Sequence, residues 1–113
     1  MNAPMGCKLV GRWRIVEADI WDRAYLDICG PAAVVFDADG RGEIAFGAMQ
    51  ATLDIEYGAT SIGFSWIGFD EGDEVSGEGN ALLDDGSIEI EFHYDSGDEA
   101  VLKAKRDRFS TAC

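Results

Sequence analysis

Positive charge is scarce in this chain and unevenly placed. Its 113 residues include 22 acids against nine Lys and Arg, with a single histidine, for a formal net charge of −13. Residues 24–102 hold Arg41 alone against 18 acids, a net −17, while the remaining bases cluster in residues 1–23 and 103–113. So acidic a body repels phosphate, which disfavours nucleic acid as a partner. Prolines number two, Pro4 and Pro31, against 14 glycines. That balance suits short strands joined by tight turns. The cysteines are Cys7, Cys29 and Cys113, an odd number without framework spacing. A reducing compartment, and hence a cytoplasmic location, is expected. No apolar run approaches the roughly 18–20 residues of a membrane helix, so no membrane association is expected. The segment Met5-Gly6-Cys7 has no apolar stretch before it and does not read as a lipoprotein signal. The length is that of one domain, residues 1–113.

What the chain does contain is period-2 alternation. In 50–57, Ala51, Leu53, Ile55 and Tyr57 share one face, and Gln50, Thr52, Asp54 and Glu56 the other. In 87–94, Ile88, Ile90, Phe92 and Tyr94 face inward, with Glu89, Glu91 and His93 outward. Further strands are predicted over 11–17, 32–36, 42–48, 62–69, 75–83 and 99–108. Asp39-Gly40 and Asp85-Gly86 are hairpin signals between them. In 62–69, Ile62, Phe64 and Trp66 share a face, while Ile67 and Phe69 fall on the other.

The segment 21–28 breaks the alternation. Trp21, Tyr25 and Ile28 fall at helical spacing, Asp22 is a candidate N-cap, and Gly30-Pro31 stops the run. A short helix or 3₁₀ turn is predicted, plugging one end of the fold with Trp21, Tyr25, Leu26 and Ile28. About eight strands at intervals of roughly 10–13 residues predict an all-β fold, an antiparallel up-and-down barrel with this one helix between its first two strands.

Two residues speak to closure of that barrel. Trp13 lies in the first predicted strand and Arg106 in the last. If those strands pair, the guanidinium stacks on the indole and caps an end of the core. On Gly11, Trp13 and Arg106, with the helical segment after the first strand, the chain resembles the calycin group, which includes lipocalins and fatty-acid-binding proteins. The resemblance implies a barrel with a ligand-binding interior. A finer pattern resembles a set of small bacterial proteins without an assigned activity. Its residues are Trp21, Asp22, Tyr25, Leu26 and Asp27, then Gly30, Pro31 and Ala32, then Phe64, Trp66, Gly68, Asp70 and Glu71.

Candidate chemistry is sparse. Asp37, Asp39 and Glu43 have a calcium-loop flavour, but strand residues follow at once and Arg41 intrudes, so a plain hairpin turn is favoured. Asp70, Glu71, Asp73 and Glu74 crowd four carboxylates into five residues. Such a group can hold a hard cation or raise its own pKa values, and a solvated loop is the simpler reading. His93 stands on a polar face without metal-ligand spacing around it. No Gly-X-Ser-X-Gly turn accompanies it, and the thiols are expected to be buried or idle. No metal site, cofactor or catalytic residue is assigned, and the chain is expected not to be an enzyme.

An enzyme using the Asp70, Glu71, Asp73 and Glu74 carboxylates ranks last, since no base, nucleophile and oxyanion constellation accompanies them, and two other functions compete. The first is a small lipocalin-like binding protein with an apolar ligand, its candidate cavity lined by Trp13, Phe64, Trp66, Tyr94 and Arg106. So many large side chains in so short a chain favour a filled barrel over a hollow one. The second is an acidic protein-interaction module, immunity- or antitoxin-like toward a basic partner, or a homodimer. Its candidate interface is Ile67 and Phe69, apolar on an outward face.

Overall fold

In the computed structural model, residues 9–58, 61–84 and 86–106 are described. Eight strands run in chain order around a closed antiparallel barrel. They are β1 (Gly11–Ala18), β2 (Ala33–Phe36), β3 (Arg41–Phe46), β4 (Met49–Tyr57), β5 (Ser61–Asp70), β6 (Asp73–Asp84), β7 (Ser87–Tyr94) and β8 (Glu99–Arg106). One helix, α1 (Arg23–Leu26), lies between β1 and β2. The all-β up-and-down architecture read from the sequence is the one observed.

Alternation sets each strand's two faces. Along β4 and β5 every second residue is buried, Leu53, Ile55, Phe64 and Trp66 among them, and those between are exposed. The β5–β6 hairpin shows how tightly strands are joined. Asp70 pairs with Asp73, leaving Glu71 and Gly72 as a two-residue loop. Both have positive φ, 53° and 87°, as a turn matching the right-handed strand twist requires.

Closure follows from β1 pairing with β8, with Trp13 directly opposite Arg106. The register shifts between Ile15 and Glu17, so Val16 is the extra residue of a bulge. The Arg106 guanidinium carbon lies 4.0 Å from the Trp13 ring centroid. Its Nη1 donates to the Val10 carbonyl at 2.8 Å. The indole N–H of Trp13 donates to the Leu9 carbonyl at 3.0 Å. Both side chains therefore tie the entry to β1 onto the barrel end, and Trp13 is 1% exposed.

The opposite end is covered by α1. Asp22 caps the helix, its side chain accepting from the Tyr25 N–H at 2.9 Å. Leu26 is fully buried, and its carbonyl accepts from the Gly47 N–H at 2.8 Å. Asp27 then pins the chain leaving the helix. Its carboxylate accepts from the Ala32 N–H at 3.0 Å and from Arg14 Nη2 at 2.8 Å. Those contacts, the Ala32 hydrogen bond foremost and the Arg14 charge after it, hold the Asp27 pKa below its usual value. The helix is shorter than the predicted segment, and Ile28 does not plug the barrel. It lies beyond the Asp27 anchor and is 65% exposed. Trp21 and Tyr25 do cover that end, stacked on each other, with Trp21 also against Phe46.

The bore is packed with aromatic rings. Phe92, fully buried, stacks on Trp66 at 4.4 Å between centroids, with Phe46 at 5.4 Å, Tyr94 at 5.5 Å and Phe64 at 6.2 Å around it. Glycines on β6 make room. Trp66 is opposite Gly77, and Phe64 is opposite Gly79. With no Cβ at 77, the Trp66 indole N–H reaches the carbonyls of Glu78 at 3.3 Å and His93 at 3.2 Å.

Candidate docking surface

The residues assigned from sequence to a cavity separate by position. Trp13, Phe64 and Trp66 are buried in the core. Trp66, Phe64 and Tyr94 meet through Phe92, whereas Trp13 and Arg106 sit at the other end. Arg106 and Tyr94 are half-buried. Burial draws Arg106 below its ordinary pKa. The Tyr94 hydroxyl is buried with no hydrogen-bond partner among the described residues. Desolvation raises its pKa, and the nearby Asp70, Tyr25 and Asp98 raise it further.

Ile67 and Phe69 are on the outer wall, 57% and 56% exposed. Pairing register shows what surrounds them. One cross-strand row reads Arg14, Ala33, Ala45, Gln50, Phe69 and Glu74 from β1 to β6. The next reads Arg12, Val35, Glu43, Thr52, Ile67 and Ser76. Ala33, Val35 and Ala45, with the longer Glu43 among them, thus lie between Arg12 on β1 and the large apolar groups on β5. The result is a groove of about 410 Å³ lined by Arg12, Ala33, Ala45, Thr52, Ile67 and Phe69, among others. Three further surface grooves, on β3–β5, on β4–β6 and around β1 and β8, are likewise lined mainly by outward-facing positions.

Ala33, Val35 and Ala45 were not assigned to any site from sequence. Their small size on outward positions is a faint signal. Their alignment opposite Ile67 and Phe69 depends on register across four strands.

The rest of the wall is acidic. Residues 42–102 contain 15 acids and no Lys or Arg, and β4 to β7 stand side by side within that span. A third row across β3–β8 reads Arg41, Asp54, Ser65, Glu78, His93 and Glu99. His93 Nδ1 is 3.2 Å from Glu99 and Nε2 is 3.9 Å from Glu91. The bases gather on the seam, where Lys103 faces Glu17 at 3.7 Å and Arg14 faces Asp27 at 2.8 Å.

The other candidate groups are dispersed. Asp70, Glu71, Asp73 and Glu74 form the β5–β6 hairpin end, and Asp37 and Asp39 belong to the β2–β3 turn, where Asp39 accepts from the Arg41 N–H at 3.1 Å. Among the described residues no three His, Cys, Asp or Glu side chains converge to hold a metal ion. Cys29 is exposed rather than buried, and Cys7 and Cys113 lie outside the described residues.

Among the described residues the molecule is thus a closed eight-stranded barrel with a packed bore, an acidic wall over β4 to β7, and a groove of mixed polar and apolar lining that runs from β1 to β5 and ends at Ile67 and Phe69. Comparison with known proteins returned no matching family model, no matching curated protein and no matching solved structure.

Proposed function

We propose that this barrel is a non-catalytic protein-docking module, binding a basic partner through the groove beside Ile67 and Phe69. One observation carries the reading: two large apolar side chains stand more than half exposed, two residues apart, at the border of a groove and an acidic wall. Apolar anchors supply the burial that makes association stable, and the carboxylates beside them on β6, Glu74 opposite Phe69 among them, steer a partner of the other sign. The same charge opposes a homodimer through this face, because two acidic walls repel. A pull-down from the native host, comparing the parent with the Ile67→Ser/Phe69→Ser double variant, tests this. The parent retains a basic protein, more strongly at low salt, and the double variant loses it. Equal retention by both would overturn the reading.

The calycin resemblance supports a second reading, a small ligand. The unpartnered Tyr94 hydroxyl beneath the helix-covered end favours it, since buried hydroxyls normally find a partner. Native mass spectrometry should then show an adduct on the parent protein that Tyr94→Phe loses. An adduct-free spectrum of the parent rules this reading out.

A further inference from the structure

We infer that the partner seats an arginine side chain over Ser65 and Gly63, between the carboxylates of β4 and β6 and next to the apolar group that covers Ile67. This rests on the docking reading above and adds the side chain through which the partner's charge is recognised.

The outer face of β5 changes character along its length. Phe69 and Ile67 are large and apolar, Ser65 is small, and Gly63 has no side chain. Open space stands where a Cβ on Gly63 would be. The strands on either side keep longer side chains. Asp54 and Glu78 pair with Ser65 from opposite sides, and Glu56 and Asn80 do the same with Gly63. The result is a notch of about 330 Å³ lined by Asp54, Glu56, Gly63, Ser65 and Glu78, among others. Asp54 and Ser65 also line the adjoining groove that reaches Ile67. Notch and apolar pair are therefore parts of one continuous surface.

The acids of the notch are unengaged. Farther along the wall, Glu91 meets Asn80 and His93, Glu99 meets His93, and Asp95 meets Ser76. Among the described residues no side chain forms an ion pair or hydrogen bond with the carboxylates of Asp54, Glu56 or Glu78. Arg41 stands opposite Asp54 in register, on the side away from the notch, and does not pair with it. A cation entering over Ser65 meets carboxylates from both neighbouring strands.

Width selects the kind of cation. Asp54 and Glu78 stand two interstrand spacings apart, about 9–10 Å between Cα atoms. A guanidinium is planar and carries five N–H donors around its edge, so one group can bond carboxylates on two sides. An ammonium is a compact point charge without that reach. Position adds to this. Ser65 lies about 7 Å along the strand from Ile67. An apolar contact on Ile67 keeps water from the neighbouring ion pair, which is worth more there than in open solvent.

Amide NMR shifts of the full chain, titrated with N-acetyl-arginine amide, provide the test. N-acetyl-lysine amide and the neutral isostere N-acetyl-citrulline amide are the comparisons. Arginine should shift Asp54, Gly63, Ser65 and Glu78 and saturate at least fivefold tighter than lysine, with no response to citrulline. Asp54→Asn/Glu78→Gln should abolish the response. Glu89→Gln/Glu99→Gln, which removes the same charge from β7 and β8, should preserve it. Urea midpoints confirm that each variant folds. Lysine binding as tightly as arginine, or equal losses in the two double variants, would overturn the inference. The pull-down separates it from the docking reading. If Ile67→Ser/Phe69→Ser loses the basic partner while Asp54→Asn/Glu78→Gln retains it fully, the arginine inference fails and the docking reading survives. If Ile67→Ser/Phe69→Ser retains as much as the parent, both fail.

Discussion

A Cβ on Gly77 would stand 1.8 Å from the His93 carbonyl oxygen and 2.9 Å from the Trp66 ring. One of those groups would have to move, and the indole hydrogen bonds to Glu78 and His93 would go with it. Gly77→Ala should therefore cost about 1–3 kcal/mol, as overpacking does. Gly63 faces outward on β5 with open space at its Cβ position. Gly63→Ala should stay within about 0.5 kcal/mol of the parent. Urea denaturation of the two variants checks the contrast, and equal losses would contradict it. At Tyr94 the expectation runs the other way. Its hydroxyl is buried without a partner, so Tyr94→Phe should leave stability at pH 7 unchanged or raise it by up to about 1 kcal/mol. The raised pKa of the folded state means that the phenol stays neutral there while the unfolded chain ionises near 10.0. That stability is present below pH 10 and is lost as pH rises above it. The advantage of Tyr94→Phe should widen between pH 9 and pH 11; a constant gap would argue against burial of the hydroxyl.

The two ends of the barrel are held by single elements, and each can be tested by removing its anchor. Trp13 joins β1 to Arg106 of β8 and to the Leu9 carbonyl. Trp13→Ala should cost about 3–5 kcal/mol, the usual penalty for emptying a buried aromatic site. Arg106→Ala should cost less, losing a stacked cation and one hydrogen bond to Val10. Midpoints equal to the parent for both would mean that this contact does not close the barrel. At the helix end, Asp27 ties α1 to Ala32 and Arg14. Its folded-state pKa is depressed, so the stability it supplies is present above the ordinary carboxylate pKa and is lost as pH falls through the folded value. Asp27→Asn should be less stable than the parent at pH 7, and the difference should shrink toward pH 3. Both ends were partly legible in the sequence. Trp13 and Arg106 announced closure because an indole and a guanidinium in the first and last strands have one favourable arrangement. Asp22 and the apolar spacing after it announced the helix. Ile28 misled because its spacing continues the helical face, while Asp27 ends the helix one residue before it. The part played by Gly77 and the groove floor of Ala33 and Ala45 were not legible. Both depend on which residue stands opposite which, and register is a property of paired strands that no single strand records.

Across the whole molecule, charge is as unevenly placed as in the chain. The wall of β4 to β7 contains no Lys or Arg, whereas Arg14, Lys103 and Lys105 stand at the β8–β1 seam. Closing the barrel brings acids from four strands onto one surface that the unfolded chain spreads over a much larger volume. At a net charge of −13, this repulsion opposes the compact state. Salt screens it: the Debye length falls from about 30 Å at 0.01 M to about 10 Å at 0.1 M. Raising sodium chloride over that range should therefore raise the melting temperature, by about 4–8 °C for each kcal/mol of repulsion removed. The few seam pairs, Lys103 with Glu17 and Arg14 with Asp27, weaken under the same screening but are too few to reverse the sign. Choline chloride at equal molarity should give the same rise, which separates screening from sodium binding at the carboxylates. A melting temperature that falls or stays level with salt would show that the wall is already neutralised, and the electrostatic basis of the docking reading would fall with it.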